Sequence, residues 1–165
     1  MSDTILTYPN FRKPKQMSIK TDIKQTKPFR NDFHEAVVNL IYTYNWVVDQ
    51  IKQRIKPYGI TMQQYNVLRI LRGASEPITT SVIRERMLDK MSDTSRMVDR
   101  LHTKGLVVRR TCPSDKRLVD VTLTDAGKDL LSQLDQFDNQ MDAILSKLNP
   151  QEIRLLSDLL DKARG

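Results

Sequence analysis

Cysteine is almost missing from this chain of 165 residues; Cys112 stands alone. One cysteine excludes an internal disulfide framework and suits a reducing compartment. Long apolar runs are missing as well. No stretch nears the roughly eighteen consecutive apolar residues of a membrane-spanning helix. The N-terminus lacks the apolar segment of a secretory signal. The expectation is a soluble cytoplasmic protein with no membrane partner. Histidine is limited to His34 and His102. They stand apart, with no Cys/His cluster, so a bound metal would lack ligands. There is no Gly-rich phosphate loop and no G-x-S-x-G turn. Catalysis therefore has no support, and no cofactor is expected. No internal repeat or low-complexity tract is present.

Positive charge is abundant and unevenly placed. The net charge is +7, from 27 basic and 20 acidic side chains. Residues 1–30 carry +5, residues 31–83 carry +1, residues 84–117 carry +5 and residues 118–165 carry −4. An uneven basic balance points to a polyanionic partner. The acidic last third argues against indiscriminate coating of nucleic acid or membrane. The length suits one domain, or one domain with an extension.

The densest pattern is residues 92–125, SDTSRMVDRLHTKGLVVRRTCPSDKRLVDVTLTD. Thr94, Met97, Val98 and Leu101 recur at helical spacing. Ser92, Arg96, Asp99 and Thr103 fall on the opposite face, with Ser95 and Arg100 on its flanks. Ser92 is the expected N-cap, and Gly105 the left-handed stop. Residues 106–110 read as a strand, and Pro113, Ser114 and Asp115 as a turn. Val119, Val121 and Leu123 then alternate with Asp120 and Thr122 as a half-buried strand. Thr124 caps the next helix. An Arg-bearing helix beside a basic two-stranded ribbon fits double-stranded DNA. The helix enters the major groove, and the ribbon tip follows phosphates or reaches the minor groove.

The rest of the chain reads as mostly helical. Residues 1–31 form a basic arm with Pro9, Pro14 and Pro28, either mobile or a partly ordered strap. Residues 32–56 form a helix capped by Asn31 or Asp32 and stopped by Pro57 and Gly59. Its stripe of Phe33, Val37, Leu40, Ile41, Tyr44, Val48, Ile51 and Ile55 is broad enough to face both a core and a second subunit. Residues 61–72 form a helix with a Thr61/Gln64 capping box. Ile78 adds a short strand. Thr79 or Thr80 caps a helix to about residue 88, whose Arg84 and Arg86 can meet phosphates. Residues 125 to about 147 are predicted as one long helix, with a stripe of Leu130, Leu131, Leu134, Phe137, Met141, Ile144 and Leu145 that runs on to Leu148. Asn149, Pro150 and Glu152 start the last helix.

DRLHTKGLVVRR, then PSDKR, then LTDAG, resemble the signature of the MarR family of winged helix-turn-helix transcription regulators. That signature is a D-R-L-x-x-x-G-L-V-x-R helix end, a D-x-R wing tip and an L-T-x-x-G helix start, and all three parts stand in order. The resemblance covers roughly residues 32–163. It implies a mainly α fold with a small β wing: a winged helix-turn-helix domain (61–123, recognition helix about 92–104, wing about 106–123) plus a helical dimerisation stalk (32–57 and 125–165). It further implies a homodimer through the first and last two helices. Repression of an inverted-repeat operator would be relieved by a small aromatic compound, an antibiotic or an oxidant. Asp115 and Arg117 match the D-x-R, so Arg117 resembles the arginine that enters the minor groove.

The candidate DNA-contacting residues follow from chemistry. Arg96 projects early from the recognition helix, and arginine is the best bidentate partner of guanine. Ser92 and Ser95 lie in the first turn, where hydroxyls and amides meet phosphates or bases. Arg100, Thr103 and Lys104 lie lower on the helix and suit phosphate. Arg109, Arg110 and Lys116 add sequence-independent, salt-sensitive affinity. Asp99 and Asp115 are acidic, so their expected role is geometric, Asp99 pairing with a basic neighbour from the wing. His34, Tyr42, Trp46 and Tyr65 are candidates for an effector pocket, or simply core and interface residues. Cys112 lies near cations that lower a thiol pKa, which leaves a redox sensor as one alternative. A winged-helix module that binds a protein partner is the other.

Overall fold

The computed structural model describes residues 18–111 and 119–165. They fall into two compact units that divide after Trp46. The wing tip, with Cys112, Asp115, Lys116 and Arg117, lies outside the described residues, as do residues 1–17.

In the first unit, Ser18 caps a one-turn helix α1, Ile19–Asp22. The chain then reaches α2, Asp32–Ile55, whose first turn is capped by Asn31: its Oδ1 accepts the His34 amide at 2.9 Å. Lys20, Phe29 and Arg30 of the preceding residues contact this turn or one another. Lys20 pairs with Glu35 at 3.0 Å and lies over the Phe29 ring. Phe29 meets His34 edge-on, with ring centroids 5.3 Å apart, and the Arg30 amide donates to His34 Nδ1.

In the second unit, α2 ends in a 3₁₀ turn at Lys56–Tyr58. Gly59 follows at φ 66°, a left-handed conformation that glycine adopts without a Cβ clash. The predicted capping box opens α3, Met62–Arg72: Thr61 and Gln64 satisfy each other's amides. Strand β1, Ile78–Thr79, leads into α4, Thr80–Arg86, capped by Thr79. Helix α5, Thr94–Thr103, is followed by β2, Val107–Thr111, and β3, Val119–Leu123. The antiparallel sheet has the order β1-β3-β2, with Val107 opposite Leu123 and Ile78 opposite Val121. The core beneath joins Val67, Leu68 and Leu71 of α3, Ile83 and Met87, Val98 and Leu101, and Val107 and Val121. Leu131 and Leu134 of α6, Asp125–Asp135, complete it.

The predicted single helix over residues 125–147 is broken. After α6 come α7, Asp138–Asp142, and a 3₁₀ turn, Ala143–Leu145. Two distant contacts lie at the break. Arg72 holds Asp135 at 2.7 Å, and Phe137 leaves helical geometry (φ −97°, ψ 3°) to pack edge-on against Tyr58. Asp and Asn around it favour backbone-bonded, non-helical conformations. Helix α8, Pro150–Arg164, starts with the predicted Asn149/Glu152 capping box. Among the described residues, no helix is long and apolar enough to cross a membrane.

Candidate nucleic-acid interface

The α4–α5 turn is fastened at both ends. Asn66 of α3 accepts the Leu88 amide at 3.0 Å, and the Lys90 ammonium donates to the Glu85 carbonyl. Asp89 accepts the Met91 amide at 3.0 Å and the Ser92 hydroxyl at 2.7 Å. The hydroxyl, and then the amide, hold the Asp89 carboxyl below its usual range. This turn corrects one expectation. Ser92 is spent on Asp89, and the recognition helix is capped one residue later, by Asp93. Asp93 Oδ1 accepts the Arg96 amide at 3.1 Å, and its Oδ2 lies 3.1 Å from Arg96 Nε. Both Ser92 and Asp93 are good caps; the neighbouring carboxylate decides between them.

Helix α5 buries Thr94, Val98 and Leu101 and presents Ser95, Arg96, Asp99, Arg100 and Thr103 outward. The Arg96 side chain is 79% exposed. The Thr103 hydroxyl bonds back to the Asp99 carbonyl at 3.0 Å. Lys104 donates to the Gly59 carbonyl, tying the end of α5 to the end of α2. Asp99 pairs with Arg109 of β2, joining α5 to β2. These two residues, with Thr79, Thr80, Ser81, Ser95, Val98 and Val119, line a cleft of about 230 Å³ between α4, α5 and the wing base. Arg110 lies opposite Asp120. Arg84 and Arg86 are exposed in the last turn of α4.

The wing is anchored to α6 by a knot that explains two parts of the signature. The Leu106 amide donates to the Leu101 carbonyl, and the Thr124 amide to the Leu106 carbonyl. The Thr124 hydroxyl donates to the Gly105 carbonyl at 2.7 Å and accepts the Gly127 amide at 3.0 Å. A Cβ on Gly127 would lie 2.2 Å from the Leu106 carbonyl oxygen. Gly105, at φ 71°, turns the chain into this knot.

The remaining candidates lie on different elements. Tyr65 is a core residue, 8% exposed, and its hydroxyl accepts from Arg69. Tyr42 and Trp46 are exposed on α2. His34 meets Phe29 and the Arg30 amide, and His102 bonds the Val107 carbonyl. Among the described residues, no group of three His, Cys, Asp or Glu is placed to hold a metal. Sequence reasoning missed Asp93 and Asn66. The first has a side chain of the cap-forming type; the second carried no local signal.

A helix-turn-helix followed by a β-ribbon is the winged-helix arrangement, and the comparisons agree. A model of the MarR family matches residues 58–118. A MarR transcription factor of Planctomyces limnophilus is 33% identical, with a TM-score of 0.62, and the match covers 81% of this chain and 98% of that one. The chain belongs to the MarR family. A mutant MarR of Escherichia coli, complexed with operator DNA, aligns at a TM-score of 0.75 and 27% identity, over 83% of this chain and 99% of that one. The uncharacterized HTH-type transcriptional regulator YdgJ of Bacillus subtilis is 31% identical over 108 residues. That match spans 65% of this chain and 65% of the regulator's own length. As a MarR protein the chain is a DNA-binding transcription regulator and not an enzyme.

Proposed function

We propose that this MarR protein is a homodimeric repressor of an inverted-repeat operator. Each subunit inserts the first turns of α5 into a major groove and its wing into the adjacent minor groove. Two-fold symmetry sets the half-sites about one helical turn apart. Arg96 reads a base edge. Ser95, Arg100, Arg84, Arg86 and Arg110 meet the phosphates, and Arg117 enters the minor groove, whose narrow stretches attract arginine. Arg109 and Asp99 hold the wing against the helix. The observation that carries this reading is the exposed Arg96 on a capped, braced helix start, within a segment of net charge +5 at residues 84–117. A small aromatic effector would relieve repression by binding one spacing of the two reading heads better than the other.

The test is fluorescence anisotropy against the upstream intergenic duplex and a scrambled duplex of equal length, at low and moderate salt. Specific binding to the native duplex, lost in Arg96→Ala and Arg117→Ala, is the expected result. Equal, salt-sensitive binding to both duplexes would leave only a basic surface. One observation favours a protein-binding module instead. Leu88 and Met91 are 79% and 93% exposed in the α4–α5 turn. Such a module would tolerate both arginine substitutions.

A further inference from the structure

Asp93 poses a problem for a DNA reader. Its carboxylate is 57% exposed at the start of the recognition helix, where a negative charge repels phosphate. Capping alone does not require it, because serine and asparagine cap as well. The second carboxylate oxygen supplies the reason. Oδ1 makes the cap bond to the Arg96 amide, and Oδ2 lies 3.1 Å from Arg96 Nε as an ion pair. An exposed pair three residues apart adds little stability. It does restrict a long, flexible side chain to fewer directions. With the carboxylate on its Nε side, the guanidinium keeps its terminal Nη1–Nη2 edge for an outside partner. That edge matches the paired acceptors O6 and N7 of guanine. Arg96 is the third residue of α5, in the part of a recognition helix that reaches base edges. The platform is also stiff, since Asn66 and Asp89 brace the turn before it.

We propose that Asp93 is a specificity-determining positioning residue, which presets Arg96 for end-on bidentate reading of one guanine in each half-site. The proposal rests on Arg96 contacting a base. The charge unfavourable to phosphate is then retained for discrimination, at some expense in overall affinity.

The experiment is selection from a randomised duplex pool by the full chain and by Asp93→Asn, Asp93→Ser and Arg96→Ala. Anisotropy then follows on the selected duplex, with 7-deazaguanine replacing each guanine in turn. Wild type should prefer guanine at one position per half-site by roughly tenfold to a hundredfold, and 7-deazaguanine there should remove most of that. Arg96→Ala should flatten the same position. Both Asp93 variants should lose about tenfold of the discrimination at that position only. Their thermal midpoints should hold, because the cap survives, and they should bind a scrambled duplex more tightly, because a repelling charge is gone. If both keep the wild-type guanine preference, Arg96 reads unaided and the proposal is overturned while base reading stands. If Arg96→Ala changes no position, base reading by Arg96 falls and takes the proposal with it.

Discussion

A methyl group on Gly127 would collide with the Leu106 carbonyl oxygen at 2.2 Å and crowd a Leu123 methyl at 3.3 Å. Alanine inside a helix ordinarily stabilises relative to glycine, by about 1 kcal/mol. Here the sign should reverse. Forcing atoms into a packed site costs roughly 1–3 kcal/mol, and the atom met is backbone, which cannot swing away. Gly127→Ala should therefore lower the urea midpoint; an unchanged or raised midpoint would show that α6 stands further from the wing base. Asp89 offers a second test. The Ser92 hydroxyl and the Met91 amide favour its charged form. That stabilisation is present above the ordinary aspartate value of about 3.9 and is lost as pH falls through the lower folded value. In an NMR titration Asp89 should titrate below ordinary aspartates. Ser92→Ala, which removes the larger cause, should move it back up. A normal value in the wild-type protein would mean that the turn bond is not formed in solution.

Elements of this fold begin and end on residues that can be read locally. Thr124 is the most consequential, because one hydroxyl caps α6 and ties Gly105 to it. Thr124→Ala should cost about 1–2 kcal/mol in urea denaturation, and Thr124→Ser much less, since the hydroxyl is kept. Equal losses from both would assign the effect to the methyl group. Caps of this kind are why so much was legible in the sequence. Thr61 with Gln64, Asn149 with Glu152, Gly59 and Gly105 each act within a few residues of themselves. The wing strands showed in the alternation of Val119, Val121 and Leu123. What the sequence hid depends on distant partners. The break after α6 coincides with contacts from Arg72, 63 residues away from Asp135, and from Tyr58 against Phe137. At the candidate interface, a helical wheel finds Arg96 and Asp99, and charge predicts a basic partner for Asp99. That the partner is Arg109, and that Lys104 is turned to Gly59, follows only from how α5 packs against its neighbours.

On the scale of the whole molecule, the unresolved question of burial lies outside the core. Helix α2 leaves Phe33, Val37, Leu40, Ile41 and Tyr44 between 51% and 83% exposed, and α8 leaves Leu155, Leu156 and Leu159 near 40%. Contiguous apolar faces of this kind mark interaction surfaces. A second copy is the occupant that the proposed function needs, since a two-fold operator requires two reading heads. Linking two heads raises affinity about 10²–10⁴-fold over one without any new DNA contact. Light scattering should therefore give twice the chain mass for wild type. Ile41→Glu and Leu159→Glu, made separately, should each shift it toward a monomer with its thermal melt still cooperative. The monomeric variants should bind a two-half-site duplex about 10²–10⁴-fold more weakly, yet match wild type on a duplex carrying one half-site. Variants that stay dimeric would move the interface off these faces. A monomer that still held the full operator at wild-type strength would mean that one head suffices, and the repeat in the DNA would then need another explanation.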